Sequence, residues 1–325
     1  MRILVTGAAG FIGFSVCNKF LDLNHEVVGI DNLNNYYKRK YKLARISYLK
    51  KKKKKFIFEK LDCSNSNLFK RLRKYKKFHL VIHLAAEVGV RYSYYFPEKY
   101  YNSNVKGFFN ILEFIRLNNI KKFIFASSSS VYGESKNKFF SEKNHTSKPM
   151  SFYAATKKVD EVMAHSHSAC YKIASIGLRF FNVYGPWGRP DMAIYKFVNW
   201  LNKKKKIEVY GSGKQLRDFT YIDDAVSLIF KCIKRLNKIR KKRVPFEIFN
   251  TGRGQSINVL NLVELISRNL KKKSLLKKLP KQKGDLPYTR SSNKKIKKIL
   301  KFKSQTNLEN GIRLFIDWQK KNIKN

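Results

Sequence analysis

Near the amino terminus an apolar run, Ile3-Leu4-Val5-Thr6, ends in three glycines spaced three apart, Gly7-Ala8-Ala9-Gly10-Phe11-Ile12-Gly13, and a helical pattern starts among them. That junction restricts the fold more than any other feature, because few folds turn a buried strand into a helix through a loop almost without side chains. The rhythm then repeats. Apolar runs at 26–30, 56–61, 80–84, 122–126 and 174–179 alternate with helical spacing around 12–23, 32–49, 65–74, 103–118 and 153–171. Such alternation predicts an α/β fold, a doubly wound and mostly parallel sheet covered on both faces. After Phe181 the rhythm breaks into loops, with a helix at 194–203, a strand and helix near 220–233, a strand at 246–250, and amphipathic segments at 257–270 and 308–320. The expected division is a sheet domain of residues 1–181 plus 219–250 and a smaller, interleaved C-terminal domain of 182–218 plus 251–325.

The charge points elsewhere at first sight. Seventy Lys and Arg face 22 Asp and Glu, for a net charge of +48, which on its own suggests a polyanion partner. The cations, however, are 53 Lys and only 17 Arg, and Lys, Asn, Ile, Phe and Tyr together supply 149 of the 325 residues. Those five residue types have A- and T-rich codons, so the excess reads as compositional bias filling solvated surface. The runs at 50–55, 203–206 and 271–273 sit where loops or helix ends are expected. Groove-reading proteins also lean on Arg for bidentate contacts. No specific nucleic-acid partner is expected. The rival reading, a fold of this kind reused for RNA binding, has only the charge behind it. No apolar stretch approaches a membrane span, and the first residues read as a buried strand rather than a signal peptide. Four scattered cysteines without a C-x-x-C suggest neither disulfides nor a metal site, so a reducing cytoplasm is expected.

Small residues at Gly7 and Gly10 let backbone approach a pyrophosphate, while the start of the helix, at Phe11 and Ile12, offers free amides and the positive end of the dipole. Gly13 lets that helix pack closely on the strand. Eighteen residues later Asp31 ends the second predicted strand, with Asn32 beside it. A carboxylate there accepts from the adenosine ribose hydroxyls and repels a 2′-phosphate, which favours NAD over NADP. Asp62 closes the third strand, where it faces either the adenine amine or its own Asp62-Cys63-Ser64 turn.

The Gly7, Gly10, Gly13 spacing resembles that of the extended short-chain dehydrogenase/reductase family, with its Rossmann-type sheet. Further matches follow in order: His83-Leu84-Ala85-Ala86 ending the fourth strand, Ser127-Ser128-Ser129-Ser130-Val131-Tyr132-Gly133 ending the fifth, Tyr153-Ala154-Ala155-Thr156-Lys157, the segment Arg217 to Asp224, and Gly284-Asp285-Leu286-Pro287. The resemblance implies that Leu84, Ala85 and Ala86 line the cofactor and that Arg217 and Asp285 lie at the nucleotide sugar. It also implies a homodimer, paired through the helices at 103–118 and 153–171.

Four residues apart on a helix, Tyr153 and Lys157 share a face. An ordinary phenol titrates near pH 10 and is a poor base at neutrality, but an adjacent ammonium favours the phenolate. Lys157 can also hold the nicotinamide ribose, and the hydroxyl of Ser128 can bond the same substrate oxygen as Tyr153. This is the equipment for removing a hydroxyl proton while hydride leaves the same carbon.

Within the family the chain is most similar to the UDP-glucuronate 4-epimerases, through Asp31-Asn32-Leu33-Asn34-Asn35-Tyr36-Tyr37, Gly89-Val90-Arg91-Tyr92-Ser93 and the stretch from Gly185 to Ala193. Related dehydratases and decarboxylases carry an acid just after the active-site hydroxyl. Here Ser129 and Ser130 stand there, and two hydroxyls suit a substrate carboxylate. The resemblance implies that they grip it, with Arg91 and Arg189 near the substrate and Arg217 on the diphosphate, where the geometry favours Arg over Lys. Two residues depart from the subgroup. Asn182 replaces the usual Thr and Glu87 the usual Gln, which keeps epimerisation of UDP-galactose or an N-acetyl analogue as the alternative.

Overall fold

The computed structural model describes residues 1–52, 55–75, 77–134, 139–282 and 286–322. Among them the strands are, in chain order, β1 (Arg2–Thr6), β2 (Glu26–Asp31), β3 (Phe56–Lys60), β4 (Leu80–His83), β5 (Lys122–Ser128), β6 (Ala174–Phe180), β7 (Asn182–Tyr184), β8 (Ile207–Tyr210), β9 (Leu216–Tyr221), β10 (Phe246–Thr251), β11 (Ser256–Asn258) and β12 (Leu276–Leu279). The chain divides into two compact units. One comprises Met1–Gly133, His145–Arg179 and Val226–Phe249; the other comprises Glu134–Asn144, Phe180–Ala225 and Asn250–Asn325.

The first unit is the expected α/β fold. Its seven-stranded parallel sheet has the order β10-β6-β5-β4-β1-β2-β3, so the chain reverses its direction of travel across the sheet between β1 and β4. In such sheets the carboxyl ends of the strands at that reversal form the binding crevice. Helices at Phe11–Asp22, Gly107–Leu117 and Phe152–Tyr171 belong to this unit. The second of these buries Phe108, Ile111, Leu112 and Ile115, a stripe at helical spacing, in the core formed by Leu4, Val28, Val81, Phe123 and Phe125. Phe108 meets Phe125 edge to face with ring centroids 5.3 Å apart.

The second unit holds the three-stranded sheet β11-β9-β7, mixed in direction, and the parallel pair β12-β8. β7, β8, β11 and β12 hold three or four residues each and, unlike the equally short β4, are interrupted by polar residues, so neither periodicity nor an apolar run marks them in the sequence. Two helices also differ from expectation. The one expected at 103–118 begins as a π-helical turn, Tyr101–Lys106, and the short helices Tyr92–Tyr95 and Pro97–Tyr100 precede it, separated where Pro97 starts a new turn. The helix after β9 reaches Ile239. Two of the lysine runs are exposed helix ends: Lys204 and Lys271 adopt positive φ just past their helices. No helix among the described residues is long and apolar enough to cross a membrane.

At the reversal of the sheet, His83 of β4 is buried, with Nδ1 2.8 Å from Thr6 Oγ1 of β1. Because Thr6 Oγ1 accepts from the amides of Leu84 and Ala85, its proton is left for the imidazole. Burial, helped by the positive charge of Lys157, pushes the imidazole down to about 3. A group so depressed costs nothing above its ordinary 6.5. Below that, the unfolded chain takes up a proton that the folded chain refuses, and stability falls until pH 3. The loss should reach roughly 4 kcal/mol. Unfolding in urea across pH 3.5–7 should therefore show a weaker pH dependence for His83→Gln than for the wild-type chain; equal slopes would refute the neutral, buried imidazole.

Candidate functional site

The glycine loop lies against the end of β4. Gly7 has φ +68°, and a Cβ on it would stand 2.8 Å from the backbone at Leu84 and Ala85. A Cβ on Gly13 would collide with the carbonyl oxygen of Gly7, so the helix from Phe11 can approach the loop this closely only with glycine there. The loop closes by a 2.9 Å bond from Gly10 N to Gly7 O. Gly10 caps the helix without a side-chain bond, so the amides of the first turn, at Phe11 and Ile12, face the loop with their own polarity. Such a cradle fits a pyrophosphate.

At the end of β2, Asp31 is buried and turns back on the chain. Its Oδ1 accepts from Leu33 N at 2.8 Å and from Lys42 Nζ at 3.3 Å, which leaves Oδ2 for ribose hydroxyls. Lys42, from the helix Lys40–Lys52, also donates to Asn34 Oδ1, and Asn34 Nδ2 donates to Glu87 Oε1 at 2.6 Å. One helical turn on, the buried Arg45 donates to the carbonyl of Ala9 inside the glycine loop. The sequence reading missed both cations. Their signal was two charges on the apolar face of that helix, beside Ile46 and Leu49. Asp62 bonds its own turn and its neighbour: Oδ1 accepts from Ser64 N and Oγ, and Oδ2 from Asn32 Nδ2 at 2.7 Å. Burial opposes the charge of Asp62, yet these bonds outweigh it and hold the carboxyl below its usual range. For Glu87 burial prevails over the Asn34 amide and the carboxyl is raised.

The helix Phe152–Tyr171 starts at Ser151, whose hydroxyl accepts from Ala154 N. Its first turn carries Tyr153, packed edge to face on Tyr100 at 6.0 Å. Tyr100 in turn donates to the carbonyls of Val88 and Gly89 beyond β4. Lys157 Nζ donates to the carbonyl of Ala126 in β5 at 3.1 Å and to Asp160 at 2.9 Å. After β5 the chain turns sharply through Ser129–Tyr132, and Ser128 Oγ accepts from Ser130 N and from Ser130 Oγ at 2.9 Å. The hydroxyl of Ser130 thus donates to Ser128. Asn104 was also missed: it donates to the carbonyl of Glu87 and to Thr156 Oγ1, linking the β4 loop to the helix of Tyr153. Arg91 caps the short helix at 92–95, in this same unit. The expected residues after β1 to β5 are therefore drawn to one sheet edge.

In the second unit, Asn182 opens β7 opposite Phe219, and Arg217 sits in β9 opposite Ile257. Arg189 makes a fork-to-fork pair with Asp191, at 3.0 and 2.5 Å, which binds it into its own loop. Burial works against the charge of Asp191, but Arg189 prevails and holds its carboxyl low. Asp285 lies outside the described residues.

Comparison with known proteins accords with this arrangement. The family model described as "NAD dependent epimerase/dehydratase family" matches residues 3–252. A probable UDP-glucuronate 4-epimerase of Rhizobium meliloti is 36% identical over 337 residues, covering 100% of this chain and 98% of that protein. UDP-glucuronate 4-epimerase 4 of Arabidopsis thaliana is 41% identical over 331 residues, covering 98% of this chain and 75% of its own length. The crystal structure of UDP-glucuronic acid 4-epimerase from Bacillus cereus, in complex with UDP-glucuronic acid and NAD, superposes with a TM-score of 0.90 at 32% identity over 99% of both chains. The glycine cradle, the strand order and these likenesses place the chain in the NAD-dependent epimerase/dehydratase family.

Proposed function

We propose that this protein is an NAD-dependent UDP-glucuronate 4-epimerase, which forms UDP-galacturonate through a 4-keto intermediate. The observation that carries the reading is a phenol and an ammonium on one helix face, set beside a glycine-lined cradle at one sheet edge. The whole-length likeness to enzymes of that name supports it. Residues 1–181 plus 219–250 would form the cofactor domain, and 182–218 plus 251–325 the nucleotide-sugar domain.

Gly7, Gly10, Phe11, Ile12 and Gly13 would hold the pyrophosphate of NAD, Asp31 and Asn32 the adenosine ribose and Asp62 the adenine side, while Leu84, Ala85 and Ala86 would line the cofactor. Bound NAD supplies the hydride acceptor, and then the donor, for C4 of the sugar. Tyr153 removes the 4-hydroxyl proton and later returns it. Two of the three donors of Lys157 are committed to Ala126 and Asp160, which leaves one for the nicotinamide ribose. Ser128 bonds the reacting oxygen, since the bonds from Ser130 leave its own proton available. Ser129 and Ser130 would hold the substrate carboxylate and Arg217 the diphosphate, and the resemblance adds Arg91, Asn182, Arg189 and Asp285 as substrate-binding residues. A 4-keto uronate is a β-keto acid that readily loses carbon dioxide, so a firm hold on the carboxylate protects it.

A second reading, epimerisation of a neutral UDP-sugar, draws on two observations. Ser130 is turned toward Ser128, and Glu87 adds a carboxyl near the cofactor loop. The protein is further proposed to reside in a reducing cytoplasm, consistent with four free cysteines. It is proposed to act as a homodimer, because the helices Gly107–Leu117 and Phe152–Tyr171 expose Phe109, Leu117, Val159 and Val162.

Three measurements follow. Tyr153→Phe should copurify with NAD, identified by chromatography of the extracted nucleotide, yet lose at least about a hundredfold in epimerase activity. Recovery of NADP, or activity within tenfold of wild type, would contradict the assignment. With UDP-glucuronate and UDP-glucose competing in one tube, proton NMR should show roughly a tenfold to thousandfold preference for the uronate, since charge-assisted bonds left unmade cost about 1.5–3 kcal/mol each. Equal rates would favour the neutral-sugar reading. Sedimentation equilibrium should give twice the 38.2 kDa chain mass; a monomer would reject the dimer.

A further inference from the structure

Lys157 carries a partner that its expected task does not require. Asp160, one turn along the helix, is fully buried, and its Oδ2 lies 2.9 Å from Lys157 Nζ in an ion pair whose side chains are 2% and 0% exposed. Its other oxygen, Oδ1, is buried without a hydrogen-bond partner. A buried carboxylate with one oxygen unsatisfied weakens a fold, and packing alone would be served as well by an amide or an apolar side chain. The charges around it are otherwise balanced. On the same helix Glu161 is held by Arg179 of β6 through two 2.8 Å bonds and approached by Lys158. From β5 come only neutral groups, the Ala126 carbonyl on Lys157 and the Ser127 hydroxyl on Glu161. His83 of β4 is kept neutral by burial and by the charge of Lys157. The π-helical turn contributes the Asn104 amide, one turn away on Thr156. Among the described residues, the counter-charge to Lys157 is therefore Asp160.

We propose that Asp160 is a positioning residue for the reaction: as the buried counter-ion of Lys157 it fixes the ammonium and tempers its pull on the Tyr153 phenol, thereby setting the pH at which that phenol becomes a base. The inference rests on the roles given above to Tyr153 and Lys157. With Asp160 ionised, the phenol faces a neutralised pair; with Asp160 neutral, it faces a cation, and a cation favours the phenolate. Burial, opposed by Lys157, raises the Asp160 carboxyl to about 7, so the charge facing Lys157 changes near neutrality.

The test is Asp160→Asn, which keeps the shape and removes the charge. The acid limb of kcat/KM for UDP-glucuronate should move to lower pH by about half to one unit. A readout independent of turnover should move with it: tyrosinate absorbance of the NAD-bound protein, taken as the difference from the matching protein that also carries Tyr153→Phe. A folded Asp160→Asn protein in which neither the limb nor the tyrosinate titration moves overturns the proposal. If the asparagine variant does not fold, Asp160→Ser is read by the same two measurements and the same rule. The single variant Tyr153→Phe separates the two levels. Retained activity there removes the acid–base reading itself, whereas an inactive Tyr153→Phe with an unmoved limb in Asp160→Asn removes only the role of Asp160.

Discussion

The backbone after β1 passes so close to the backbone after β4 that no side chain fits between them. Gly7 meets this constraint by having no Cβ and by adopting a positive φ, and Thr6 turns the contact into a bonded junction, accepting from Leu84 and Ala85 and pairing with His83. The rest of the candidate site depends on this junction. It brings the loop after β4 beside the first helix, and that loop carries Glu87, which Asn104 ties to the helix of Tyr153. A larger residue at Gly7 would part the strands where the sheet reverses, which is where α/β sheets bind ligands.

The buried charges follow a second logic. In a chain with 70 cations and 22 acids, most cations can only be solvated, and the described lysines of the three runs are exposed. The acids that go inside are engaged there: Asp31 with Lys42, Glu161 with Arg179, Asp160 with Lys157, and Asp218 with the amides of Arg253, Gly254 and Ser291. Burial without such partners would cost several kcal/mol for each ion. The net charge therefore says little about the candidate site, where local pairs govern the electrostatics.

The doubly wound sheet was legible because its strands are continuous apolar runs and its helices carry stripes such as Phe108, Ile111, Leu112 and Ile115. The cradle was legible because glycine is required where a Cβ would collide, and Tyr153 and Lys157 because four residues make one helical turn. The short strands of the second unit were not, since they hold too few residues to show a period and are interrupted by polar residues. Nor were Lys42, Arg45 and Asn104, whose partners Asp31, Ala9 and Glu87 lie between 11 and 36 residues away in the chain.

The sequence alone determined which chemical groups are present and which of them share a turn, a strand end or a helix face, because those relations are local and follow from backbone periodicity. Only the tertiary structure decided what each group is bonded to. It turned Asp62 into its own turn, directed Ser130 to Ser128, locked Arg189 to Asp191 and placed Asp160 under Lys157. A hydrogen bond is fixed to within a few tenths of an ångström and depends on side-chain direction, and spacing along the chain does not carry that direction.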